Sequence, residues 1–116
     1  MPSFEPGDVV RVPFPYTDRA TRQHRPALVI SEPRLQQEHG LVWVLMITSA
    51  ENRGWGGDIG ILNLLMAGLP AASVIRPTKM ATIDARDAQR LGKISGRLRQ
   101  HVLRHVLRNL ASPAAN

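Results

Sequence analysis

The sequence predicts a small, mainly β protein of α+β type, a curled barrel of short strands with one amphipathic helix packed on it. Three observations carry that expectation. Short runs rich in valine, isoleucine and leucine recur up to Ile83, separated by turns containing glycine or proline. Only 4% of residues are aromatic against 43% hydrophobic, so the core is aliphatic. A single long stretch, after Ser95, shows apolar residues at helical spacing.

The first strand is Asp8 to Phe14, DVVRVPF, with Val10, Val12 and Phe14 on one face and Val9 and Arg11 on the other. Proline cannot donate to a ladder, so Pro13 marks an edge or a bulge. A polar loop follows from Pro15 to His24, longer than a tight hairpin needs. The second strand is expected at Pro26 to Ser31 and a third, buried, at Leu41 to Thr48. Residues 49–60, SAENRGWGGDIG, form a glycine-rich loop that carries Trp55 and leads to a short strand around Asp58 to Leu62. Two more short strands are expected at Ser73 to Arg76 and Ala81 to Ile83, with Pro77 as the bend between them. The C-terminal helix starts from Ser95 as N-cap. Leu98, Val102, Val106 and Leu110 form its stripe, widened by Leu103 and Leu107, while Arg97, Arg104, His105 and Arg108 lie opposite. The tail at 111–116 has nothing to bury and should fray.

At 116 residues the chain is one domain's length, residues 1–116, with no repeat or linker to divide it. Its longest apolar run, Leu41 to Ile47, falls far short of the roughly 20 residues a membrane helix requires. The start, MPSFEPGD, lacks the basic and apolar regions of a secretory signal. The absence of cysteine excludes disulfides and cysteine-based zinc sites. The expectation is a soluble, cytoplasmic protein. Fifteen basic residues against nine acidic give a net charge of +6, a field that favours polyanions or an acidic protein segment.

GDVVRVPFPYTD (7–18), HRPALVIS (24–31) and VLMITSA (44–50), in that order, resemble the MazF/PemK family of toxin endoribonucleases from type II toxin–antitoxin pairs. LPAASVIRPTKMATIDARDAQRLGKIS (69–95) is similar to that family's second half, so the resemblance covers nearly the whole chain. It implies an SH3-like barrel with a C-terminal helix. It also implies a cytoplasmic homodimer that cuts single-stranded RNA without a metal or other cofactor, and a cognate antitoxin that blocks the RNA groove. The catalytic pair of such toxins falls here on Arg25 and Thr48.

The chemistry fits those residue types. Attack of a 2′-hydroxyl on phosphorus builds negative charge, and a guanidinium can grip two of its oxygens at once. A threonine hydroxyl can add a hydrogen bond to the same group. Histidine is the side-chain type suited to moving protons at neutral pH, and His24 adjoins Arg25, though strand alternation points it away.

RNA contacts are expected from the first loop, at Tyr16, Thr17, Asp18, Arg19 and Arg22, and from His24, Ser49 and Lys79. Trp55 would be a base-stacking platform, a dimer contact or a cap on the core. Around Lys79 the sequence TKMAT departs from the family's acidic and second basic residue, which bears on any substrate contact made there. His101 and His105 have a zinc-compatible spacing without a further ligand. Rival readings are a catalytically silent relative that binds nucleic acid or antitoxin, and a DNA-binding autoregulator on the same kind of barrel.

Overall fold

A computed structural model describes residues 2–15, 23–52 and 54–113, with Gln23 described by its backbone alone. In chain order the elements are β1 (Asp8–Phe14), β2 (Gln23–Val29), α1 (Pro33–His39), β3 (Leu41–Ser49), β4 (Ile59–Gly60), α2 (Leu64–Ala67), β5 (Ser73–Asp84), β6 (Gln89–Lys93) and α3 (Gly96–Arg108). Single 3-10 turns stand at Ala50–Asn52 and Ala85–Asp87. The strands form one antiparallel sheet in the order β4-β5-β3-β2-β1-β6. No described helix is long and apolar enough to cross a membrane.

Both faces of this sheet are apolar, and each is covered differently. On one face Val9, Leu28, Leu45, Ile47 and Ile75 pack with Ala67 of α2 and Val102 and Val106 of α3. On the other, Val10, Val12, Phe14, Ala27, Val29, Val44 and Met46 pack with Phe4, Ile83 and Ala85 as the sheet curls over itself. The alternation expected of β1 therefore holds, Val9 on one core and Val10, Val12 and Phe14 on the other.

Several boundaries differ from the sequence expectation. β2 begins at Gln23, so His24 and Arg25 lie within a strand, and it ends at Val29 rather than Ser31. Pairing with β1 from Phe14↔Gln23 to Val9↔Leu28 extends it backward. The two strands expected around Pro77 are one, β5, and the bend is a bulge. Leu45 faces Met80 but Met46 faces Arg76, which leaves Pro77–Lys79 as an insertion where a missing N–H costs nothing. Pro13 lies beyond the β6 pairing, which stops at Arg11, so its edge assignment holds.

Three elements were not expected. α1 buries no residue and so carries no apolar period; Pro33 opens it, and Gly40 at φ 70 closes it. Gln36 on α1 accepts from Phe4 N at 2.9 Å and donates to Pro2 O at 2.7 Å, which holds Phe4 in the second core. α2 is one turn, capped by Asn63. β6 is mostly polar and is recruited by β1. In α3 Ser95 caps as expected, its Oγ accepting from Leu98 N at 3.1 Å, but the helix ends at Arg108, before Leu110, and both Leu107 and Leu110 are exposed. At the end of β5, hydrogen bonds from Arg86 hold the Asp84 carboxyl below its ordinary pKa.

The α2 turn crosses β6 at backbone contact. A Cβ on Gly92 would stand 2.3 Å from Met66 O and 2.5 Å from Ala67 C, and one on Gly68 would stand 2.1 Å from Leu91 O. Gly92→Ala should therefore cost roughly 2–4 kcal/mol in urea unfolding, because backbone and not a flexible side chain must move. Gly60→Ala, whose added methyl meets nothing, should change stability by less than about 1 kcal/mol.

Candidate functional site

The second core runs out where β2 begins and β3 ends, and polar side chains take over there. β2 pairs with β3 at Ala27↔Met46, Leu28↔Leu45 and Val29↔Val44. The recorded pairing ends at Ala27↔Met46, and two residues further along each strand stand Arg25 and Thr48. On its other side Arg25 faces Val12, so it stands in the row of side chains that Ala27 and Val29 continue into the core. Its stem is embedded: the residue is half-buried and its Nε is shielded from solvent. Thr48 is buried, and its Oγ1 accepts from Asn52 Nδ2 at 3.1 Å. That bond turns the hydroxyl's own proton away from Asn52, available to another acceptor.

A charged cluster that sequence reasoning missed stands two pairs along β5. Arg76 faces Met46, two pairs from Thr48↔Val74, and its side chain is only 7% exposed. Its Nε donates to Asp58 Oδ1 at 3.0 Å, and Nη2 donates to Asp58 Oδ2 and to Asn52 O, both at 2.9 Å. One guanidinium thus ties the two ends of the glycine-rich loop, and Asn52 passes the tie on to Thr48. Trp55 lies over Arg76, its ring centroid 4.5 Å from the guanidinium carbon. The available signal was an arginine inside the apolar run SVIRP; a charge on a buried strand face demands a partner. Nothing in the spacing named Asp58.

The remaining expected residues divide clearly. Tyr16, Thr17, Asp18, Arg19 and Arg22 lie outside the described residues. His24 is exposed and pairs with Pro13, on the strand face opposite that of Arg25. Ser49 is exposed, and its Oγ accepts from Glu51 N at 3.2 Å. Lys79 is half-buried in the β5 bulge. Trp55 is 49% exposed and lies over Arg76. The rings of His101 and His105 meet edge to face at 4.9 Å on α3. Among the described residues no group of three His, Asp or Glu is placed to hold a metal.

The family model of the PemK-like, MazF-like toxins of type II toxin–antitoxin systems matches residues 5–112, and the chain belongs to that family. The fold agrees with solved structures. MazF from Deinococcus radiodurans superimposes with a TM-score of 0.74 at 21% identity, over 91% of this chain and 94% of that one. A MazE–MazF complex from the same organism gives 0.72 at 20% identity, over 96% and 100%. An endoribonuclease in complex with its cognate antitoxin, from a mycobacterial species, gives 0.66 at 14% identity, over 97% and 100%. No curated protein sequence matches the chain.

Removing one member of a buried ion pair strands the other without compensation. Asp58→Asn should therefore lower unfolding free energy by roughly 3 kcal/mol, seen as a lower urea midpoint. Replacing both residues by leucine should cost less than the sum of the single changes.

Proposed function

We propose that this chain is the toxin of a toxin–antitoxin pair and cuts single-stranded RNA at the Arg25–Thr48 site without a metal. The observation that supports the reading is strand position: Arg25 and Thr48 each stand two residues beyond the last β2–β3 pair, Ala27↔Met46, where the apolar row ends. In the proposed reaction the 2′-hydroxyl of one nucleotide attacks the adjacent phosphorus. The P–O5′ bond then breaks, leaving a cyclic phosphate and a 5′-hydroxyl end. Arg25 clamps the non-bridging oxygens as their charge grows, a preorganised electrostatic role that is commonly the largest catalytic contribution. Thr48, oriented by Asn52, donates to the same phosphate.

A guanidinium carries no free lone pair to take a proton, so Arg25 is assigned no role as base. His24 is assigned none either, since it stands on the other strand face. Arg76 already directs its donors to Asp58 and Asn52, so it is assigned the role of strut and not of phosphate clamp. The exposed face of Trp55 is assigned to base stacking, with Ser49, Lys79 and the first loop as further contacts. The antitoxin partner is supported by the likeness to toxin–antitoxin complexes. A homodimer in the cytoplasm completes the proposal. Its seam is assigned to the exposed Met80 and Leu110, which line one cleft at the end of α3 together with Val106, and to Leu107 beside them.

Purified protein should make discrete cuts in a long unstructured RNA in EDTA. Arg25→Ala should slow cleavage roughly 100-fold or more, and Arg25→Lys should recover only part of it because the two-oxygen grip is lost. Thr48→Val should slow it less than Arg25→Ala does. His24→Ala should leave the pH–rate profile unchanged. Cuts that persist in Arg25→Ala would refute the mechanism. Retarded RNA or DNA with no cuts by the folded wild type would favour the silent relative or the DNA-binding regulator.

A further inference from the structure

The charge of this chain is not spread evenly. Residues 1–87 hold nine basic and nine acidic side chains, and residues 88–116 hold six basic and no acidic ones. The whole net charge of +6 therefore belongs to β6 and α3. Arg90 is paired with Asp8, as Arg86 is with Asp84. Lys93, Arg97, Arg99, Arg104 and Arg108 are exposed and have no carboxylate partner among the described residues.

α3 turns Val102 and Val106 into the first core and leaves Arg97, His101, Arg104 and Arg108 exposed on its outer side. Steps of four, three and four residues keep those side chains in one stripe. From Arg97 to Arg108 the stripe runs about 16 Å at the rise of an α-helix. It lies over the sheet face of Leu45 and Ile47, whereas Arg25 and Thr48 continue the rows of the other face. The stripe is therefore no part of the proposed cleavage site.

Helix stability does not account for this pattern. Arg97 stands in the first turn, where the dipole disfavours a cation and where α3 has no acidic residue. Arg104 and Arg108 are four apart, a spacing at which like charges repel. No acidic residue three or four positions away offsets either. The helix gives up some of its own stability to keep one sign of charge facing water, and a bound polyanion would relieve that repulsion.

We propose that this stripe grips the phosphate backbone of a nucleic-acid double helix, as a second surface that holds a duplex and does not cut it. The proposal rests on the charge pattern and not on the nuclease reading. Over the length of the stripe a DNA duplex presents on the order of ten backbone charges. Its major groove, about 12 Å wide, admits an α-helix. A single strand is disfavoured, because such strands are held on aromatic platforms and no Phe, Tyr or Trp follows Trp55. A second copy of the chain packed here about a two-fold axis would set the stripe against its own charge.

The test is the anisotropy of short fluorescein-labelled DNA and RNA duplexes of arbitrary sequence, titrated with the full chain over a range of salt. The expected result is binding at low salt, with log K falling linearly in log salt. Arg97→Gln/Arg104→Gln/Arg108→Gln should weaken it at least about tenfold and flatten that slope by roughly one for each arginine that meets a phosphate. Arg97→Lys/Arg104→Lys/Arg108→Lys should restore most of the affinity, since lysine also binds phosphate, as a point charge. All three side chains are exposed, so matching circular dichroism of the two variants separates lost charge from lost fold. Arg25→Ala should hold the duplex as wild type does while losing cleavage. If wild type binds duplex and cuts nothing, the nuclease reading falls and this surface stands. The duplex held more tightly names the source. Preference for DNA means that the helix enters the wide groove, and preference for RNA means contact across the shallow minor groove. Equal binding means contact with the backbone alone.

No duplex binding at low salt would overturn the proposal, and so would binding whose salt slope is unchanged in the glutamine variant. Single strands held more tightly than duplexes by the same arginines would overturn it in favour of a longer RNA path. A polyglutamate peptide bound as tightly as the duplex would overturn it in favour of an acidic protein segment.

Discussion

A sheet with apolar residues on both faces must be covered twice, and that constraint shapes the rest of this molecule. A chain of this length has one substantial helix to offer, and α3 with the small α2 turn covers the face that carries Leu45, Ile47 and Ile75. The other face has no helix of its own and can be dried only by curling the sheet until Val10, Val12, Val44 and Met46 meet Phe4 and Ile83. Curling has a limit. The β2–β3 pairing ends at Ala27↔Met46, and the positions that continue the apolar rows are Arg25 and Thr48. Polar chemistry sits there because the core has ended while the backbone is still rigid.

The buried Arg76–Asp58 pair extends the same logic into the loop. A glycine-rich segment such as residues 54–57 has little intrinsic preference for one conformation. Fastening both of its ends to one desolvated guanidinium fixes it without a hydrophobic anchor. Desolvation makes such a pair a weak source of net stability. Through Asn52 the fixed loop also orients the Thr48 hydroxyl. Arginine therefore occurs near this site in two roles, one embedded at a strand start and one saturated with hydrogen bonds.

Elements with a strong period were legible in the sequence. β1 was read with its boundaries, β3 to within a residue, and α3 by its cap and stripe, because each pairs local propensity with a buried face. α1, α2 and β6 were not legible because their reasons for existing are tertiary. α1 is held by its cap geometry and by Gln36, α2 by a one-turn crossing over glycines, and β6 by the open edge of β1. Arg25 and Thr48 could be singled out only through resemblance to a family, since composition and spacing do not distinguish an arginine at a strand mouth from a solvated one. Arg76 escaped notice because the oddity of a charge in SVIRP points to a partner without naming it.

The position of β1 carries a consequence for how the molecule comes into being. Its two neighbours are β2, which follows it directly, and β6, and the Arg90–Asp8 bond that clamps β6 in place joins residues 82 apart in sequence. A chain leaving the ribosome therefore exposes its first strand long before the second neighbour exists. Non-local pairing of this kind is slow to form. Until residue 93 has emerged, one side of β1 remains an open template with valines on both faces. The same wiring delays completion of the sheet until β6 has been made.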